Sequence, residues 1–264
     1  MKQFFFIAAA AVITFSSCKK NNDSPYNSNV KADLSIEFDN IAGSSDLELN
    51  TGTYTNNSGE NFTVTKLKYY VSNFVLTNVN GTVYTIPQDS CYFLIDESDE
   101  NTHEPVLHVP EGEYKTLSFI VGVDSLRSIM DAGERTGVLD PTGEGAGMYW
   151  DLNSGYIFFN MEGKSSASSI PGNNFTYHIG GYGGYSFATI NNIKTLTFDL
   201  TKRGMPQVKA GKETNIHMMI DVIKMFSGTN TISIASHPEV MFDTYSTNIA
   251  DNFIDMFRHD HTEN

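Results

Sequence analysis

Gly147-Met148-Tyr149-Trp150-Asp151-Leu152-Asn153-Ser154-Gly155-Tyr156-Ile157-Phe158-Phe159-Asn160-Met161-Glu162-Gly163 is the stretch from which the fold is read. It holds the single tryptophan, Trp150, and gathers Tyr149, Tyr156, Phe158 and Phe159 around it. Aromatic and β-branched residues closed off by glycine at both ends suit a pleated, half-buried strand. Alternation places Tyr156, Phe158 and Asn160 on one side and Ile157, Phe159 and Met161 on the other. The plain reading is a core strand anchored by Trp150.

Strand signals with turn punctuation continue in both directions. Leu34, Ile36 and Phe38 alternate with Ser35, Glu37 and Asp39 near the start. Residues 62–77 form a long β-rich run broken near Ser72-Asn73, and Asn80-Gly81 is a hairpin turn leading to a return strand at 83–86. Further strands are expected at 91–95, 106–109, 114–123, 175–179, 189–200 and 214–222. Residues 124–147 are weakly patterned, rich in Gly, Asp and Glu, with one helical turn expected at 125–130; long segments of this kind are often functional. From 239 to 257 the apolar spacing changes to three and four (Met241, Tyr245, Ile249, Phe253, Met256), which predicts an amphipathic helix. The fold expected is all-β, a β-sandwich with long inserted loops and a short C-terminal helix, spanning residues 33–264.

The N-terminus carries its own signal. Lys2 is followed by an apolar run from Phe4 to Phe15, too short to span a bilayer, and then by Ser16-Ser17-Cys18. The pattern resembles a bacterial lipoprotein signal. Residues 1–17 are expected to be removed, Cys18 to carry the lipid, and residues 18–32 to act as a polar tether. The expected location is the cell envelope, anchored to the membrane by lipid, on the periplasmic or surface face of an outer membrane. With Cys18 modified, the second of 2 cysteines, Cys91, has no disulfide partner and reads as a small buried apolar residue. A formal charge of -14 argues against nucleic acid as a partner.

The chain shows no Ser-His-Asp order, nucleophile elbow, His-Glu-x-x-His or Cys-x-x-Cys, and it is read as a non-enzyme. Its 7 histidines leave metal binding as the main chemical possibility, because neutral imidazole suits copper and zinc. His103 and His108 fall in or beside an acidic loop, and His237 lies in a turn before Pro238. His217 sits in an apolar run and is expected to be a core histidine. His178, beside the Gly180-Gly181-Tyr182-Gly183-Gly184 bend, is either structural or a ligand that glycine lets other groups approach. His259 and His261 would project on the same side of an extended tail, permitting chelation, or be part of an exposed polar end. Asp131, Glu134, Asp140 and Glu144 offer oxygen donors for calcium in a spacing that is not an EF-hand. A contact surface using residues 124–147 with Tyr54, Tyr182 and Tyr185 is the reading from a different class.

The run from Met148 to Phe158 is similar to the signature of MbnP-like proteins, and residues 175–181 and 252–261 extend the resemblance. The resemblance implies a secreted or surface β-sandwich. In some members it also implies copper held by histidines together with a tryptophan that a partner dihaem peroxidase oxidises to kynurenine. Carried over, Trp150 is the oxidisable residue and His178 the copper-binding imidazole. In the copper-binding pattern an imidazole stands two residues after the tryptophan, and here Leu152 occupies that place.

Overall fold

A computed structural model describes residues 25–264; the expected signal, Cys18 and the first part of the tether lie outside them. Two sheets face each other. The smaller is built on β1 (Lys31–Ala42), whose Leu34, Ile36 and Phe38 are fully buried while Ser35, Glu37 and Asp39 look outward, as the alternation predicts. The larger is built on the eighteen-residue β2 (Asn61–Asn78), which runs through a bulge at Asn73 where the sequence suggests a break; Asn73 has φ 55.

The remaining long strands are β3 (Tyr92–Asp96), β4 (Val106–Pro110), β5 (Gly112–Val121), β6 (Tyr149–Asp151), β7 (Gly155–Lys164), β8 (Asn174–Gly180), β9 (Lys194–Asp199), β10 (Asn215–Asp221) and β11 (Phe257–Glu263). The small sheet has the order β11-β10-β1-β4, with β1 and β10 parallel and the outer pairs antiparallel. The large sheet runs β9-β5-β2-β7-β8, and β3 and β6 pair with β2 and β7 off this path. Phe119 of β5 joins the sheets: its ring lies 5.7 Å from Phe38 and 5.8 Å from Phe257 across the gap, and 5.4 Å from Phe74 and Phe198 on its own side.

The helical spacing after residue 239 covers a two-residue strand, Glu239–Val240, and two short helices, α3 (Ser246–Asp251) and α4 (Phe253–Met256), which bury Ile249, Ala250, Phe253 and Met256. (The earlier short helices are α1, Ser125–Ser128, and α2, Val222–Ser227.) Beyond α4 the tail becomes β11. The run 189–200 is strand only from Lys194 to Asp199. Among the described residues no helix is long and apolar enough to cross a membrane.

Residues 124–147, weakly patterned in sequence, fold over the outer face of the large sheet and close a second core. Its members include Tyr70, Val123, Leu139, Met148, Tyr156 and Phe158. Hydroxyls of buried tyrosines fix the segment: Tyr70 donates to the Val138 carbonyl at 2.6 Å and Tyr156 to the Leu139 carbonyl at 2.8 Å. The buried Arg135 guanidinium donates to the Met130 and Ser128 carbonyls and lies 4.3 Å over the Tyr149 ring. Cys91 is buried, as expected, and burial raises its thiol above the usual value.

One buried carboxylate makes stability depend on pH. Burial pushes Glu97 up to about 7, with Asp46 and Asp39 adding to it and the Asn40 amide (2.8 Å) and His103 opposing. A carboxyl raised when folded stabilises the fold fully below its unfolded value near 4.5, and that contribution is lost as pH rises through about 7. Wild type should therefore lose on the order of 2–3 kcal/mol relative to Glu97→Gln between about pH 4.5 and 8. Urea midpoints across that range check this; parallel curves would show that Glu97 is not the group responsible.

Candidate functional site

β6 folds back on the start of β7, pairing Tyr149 with Tyr156 and Asp151 with Gly155. Asp151 Oδ1 closes the intervening turn by accepting from the Asn153 and Ser154 amides at 2.8 and 2.7 Å. Gly155 completes it at φ +78, where the Tyr182 ring occupies the space a Cβ would need. The half-buried indole of Trp150 is thereby laid over Gly180: a Cβ added there would stand 2.9 Å from Trp150 Cζ3. Phe242 meets the indole edge to face, with centroids 5.4 Å apart.

His178 follows from the alternation of β8. Phe175, Tyr177 and Ile179 point into the core between the sheets, so His178 and Gly180 face outward together, on the side where the indole sits. Trp150 and His178 thus share one face of the large sheet. The imidazole Nε2 lies 3.0 Å from Glu162 Oε1, which also accepts from Lys66 Nζ at 2.8 Å. Burial works to raise the Glu162 carboxyl, but Lys66 and His178 outweigh it and hold it below the ordinary value. Leu152 is 40% exposed in the turn and brings no donor. The face supplies one imidazole and one carboxylate. That set fits an open two-donor contact for copper, and it does not fit a closed centre with two histidines.

The tail is built differently from the sequence expectation. β11 pairs with β10, but the register slips so that His261 lies opposite His217 and His259 opposite Met218. Asp260 is the extra residue of this bulge, and it breaks the simple alternation. His259 turns inward and is buried, with Nε2 3.0 Å from Thr262 Oγ1; desolvation holds its imidazole below the usual value. His261 turns outward against His217, ring centroids 4.7 Å apart. The two tail imidazoles therefore do not share a side. His217 is no core histidine either: Ile216, Met218 and Ile220 are buried, and His217 projects from the opposite face toward Asp39.

The other candidates are placed as follows. His103 sits half-buried beside Glu97, His108 pairs with Asp33 at 2.5 Å, and His237 stacks on Tyr245 with centroids 3.6 Å apart. Asp131, Glu134, Asp140 and Glu144 do not converge. Among the described residues the one group of three or more His, Cys, Asp or Glu donors within 4.8 Å of one another is His217, Asp260 and His261, and Asp140 is turned back on Thr142. Of the three tyrosines offered as a contact surface, Tyr185 is 59% exposed; Tyr182 is buried and donates to the Leu152 carbonyl, and Tyr54 is half-buried.

Comparison with known proteins places this architecture. Among solved structures, MbnP from Methylosinus trichosporium superposes with a TM-score of 0.56 at 16% identity, covering 81% of this chain and 82% of that one; at that identity the likeness is one of fold. No match is found among curated proteins. The family model described as MbnP matches residues 31–242, from the first strand to the phenylalanine that meets Trp150, and the chain belongs to the MbnP family.

Proposed function

We propose that this protein is a copper-handling member of its family, held in the cell envelope by a lipid on Cys18, and that the face carrying Trp150 and His178 is where copper is met. The observation that supports this reading is the shared face: an oxidisable, half-buried indole lies over Gly180, two residues along the strand from the His178 imidazole. His178 and Glu162 would hold the ion, which gives one nitrogen and one oxygen donor and suits Cu(II) better than Cu(I). Two donors on an open face favour exchange over storage. Trp150 is the residue on which a dihaem peroxidase partner would act, and its modification would add a third donor.

Copper titration of the protein, followed by quenching of the sole indole, tests this. The copper concentration needed to quench Trp150 should rise at least about tenfold in His178→Ala, since losing a ligand costs no less than the roughly ten- to hundredfold lost with an outer-shell partner. Equal quenching in both proteins would end the reading. Intact mass of the protein taken from its own host reports separately on oxidation of Trp150.

A further inference from the structure

The outer face of the small sheet carries a second cluster, far in sequence from Trp150 and built from other strands. His217 of β10 and His261 of β11 approach each other Nδ1 to Nδ1 at 3.2 Å. Asp260 Oδ2 lies 3.0 Å from the His261 Nδ1 and 3.8 Å from the His217 Nδ1. A neutral imidazole has one nitrogen that donates and one that accepts. Two nitrogens facing each other at this distance need either a shared proton or a cation.

The far side of each ring also meets carboxylates. His217 Nε2 faces Asp39 Oδ2 at 3.4 Å and Glu37 Oε1 at 3.9 Å, and His261 Nε2 faces Glu263 Oε1 at 3.5 Å. With an ion in the gap, both Nδ1 lone pairs and Asp260 Oδ2 would turn to it, and the carboxylates behind the rings would take the protons on Nε2. A carboxylate behind the ring is the arrangement that fixes tautomer and orientation in metal-binding histidines. The bulge is what makes the third donor possible, because it brings Asp260 and His261 to the gap from adjacent positions. Side-chain exposures of 12% for His217, 25% for Asp260 and 46% for His261 describe a site set into the sheet yet open to solvent. Arg203 Nη1 stands 3.7 Å from the outer Asp260 oxygen, Oδ1, and leaves Oδ2 to the imidazoles.

We propose that His217, His261 and Asp260 bind a divalent transition-metal ion of the zinc or copper(II) class. Two imidazole nitrogens and a carboxylate oxygen suit these ions, whereas calcium and magnesium prefer all-oxygen shells and Cu(I) prefers sulfur. The site is independent of the Trp150 face and needs no modified residue. Because its ligands come from two strands, the ion would tie the last strand to the rest of the sheet.

Calorimetric titration of the full protein with Zn(II) and with Cu(II) tests the assignment. One zinc equivalent should bind, with affinity falling at least about a hundredfold in His217→Ala and in His261→Ala, and about ten- to a hundredfold in Asp39→Asn, which acts only through His217. A zinc-dependent rise in melting temperature should accompany binding and vanish in the same variants; His261→Gln serves if alanine disturbs the edge strand. No zinc or copper uptake by wild type would show a shared proton alone and overturn the site. Unchanged affinity in the His217→Ala/His261→Ala double variant would overturn it too. Loss of binding in His178→Ala but not in these variants would do the same while leaving the Trp150 reading standing.

Discussion

Phe119→Ala is expected to cost about 3–5 kcal/mol of folding stability, the range for removing a fully buried phenylalanine. The residue is 0% exposed and its ring meets Phe38 and Phe257 of the small sheet as well as Phe74 and Phe198 of the large one. Alanine would leave a cavity at the crossing between the sheets, and neither sheet can close it without moving hydrogen-bonded backbone. Single domains are stable by only about 5–15 kcal/mol, so the loss takes a large part of the total. Phe187→Ala is the matched control: at 68% exposure the same substitution should change stability by less than about 0.5 kcal/mol. Urea unfolding followed by circular dichroism gives both numbers. A loss at Phe119 below about 1 kcal/mol would mean that the sheets do not pack through this ring.

The sandwich was legible because its strands are one-sided. Leu34, Ile36 and Phe38 against Ser35, Glu37 and Asp39 reports a strand with one wet face; the stretch 147–163, read as one strand, is instead a hairpin in which Trp150 lies on β6 and the central strand β7 begins at Gly155. The second core was not legible. Leu139 and Met148 are scattered through a polar segment, and what fixes that segment is tyrosine hydroxyls reaching main-chain carbonyls, which leave no periodic trace. Trp150 and His178 were singled out by the resemblance, and the alternation of β8 accounts for His178 facing the same side as Gly180.

The His217 cluster was half legible. Ile216, Met218 and Ile220 alternate with His217 and Met219, so the same rule that placed His178 outward also turns His217 out of the core; overall apolarity concealed it. Its partner could not be read. A one-residue slip between β10 and β11 decides whether Asp260 or His261 stands opposite His217, and register of that kind is set by pairing and packing across strands 40 or so residues apart.

Gly180→Ala should unseat the indole. The added methyl would lie 2.3 Å from the Tyr156 carbonyl oxygen, 2.9 Å from Trp150 Cζ3 and 3.3 Å from the Ile157 Cα. Two of these three contacts are backbone, and Gly180 pairs directly with Ile157, so the strands must part or the bulge must rearrange. Overpacking of this kind costs about 1–3 kcal/mol, more where backbone cannot yield. Trp150 is the single tryptophan, so its emission reports the displacement without interference, and a red shift toward the solvent-exposed value is expected. Gly133→Ala, where nothing lies within 4 Å of the added atom, should change neither emission nor stability. The copper reading uses the same contact: if the indole leaves Gly180, copper at His178 should quench it less, while zinc uptake at His217 and His261 should be untouched. Wild-type emission and stability in Gly180→Ala would place the indole elsewhere than over this strand, and the shared face with His178 would lose its support.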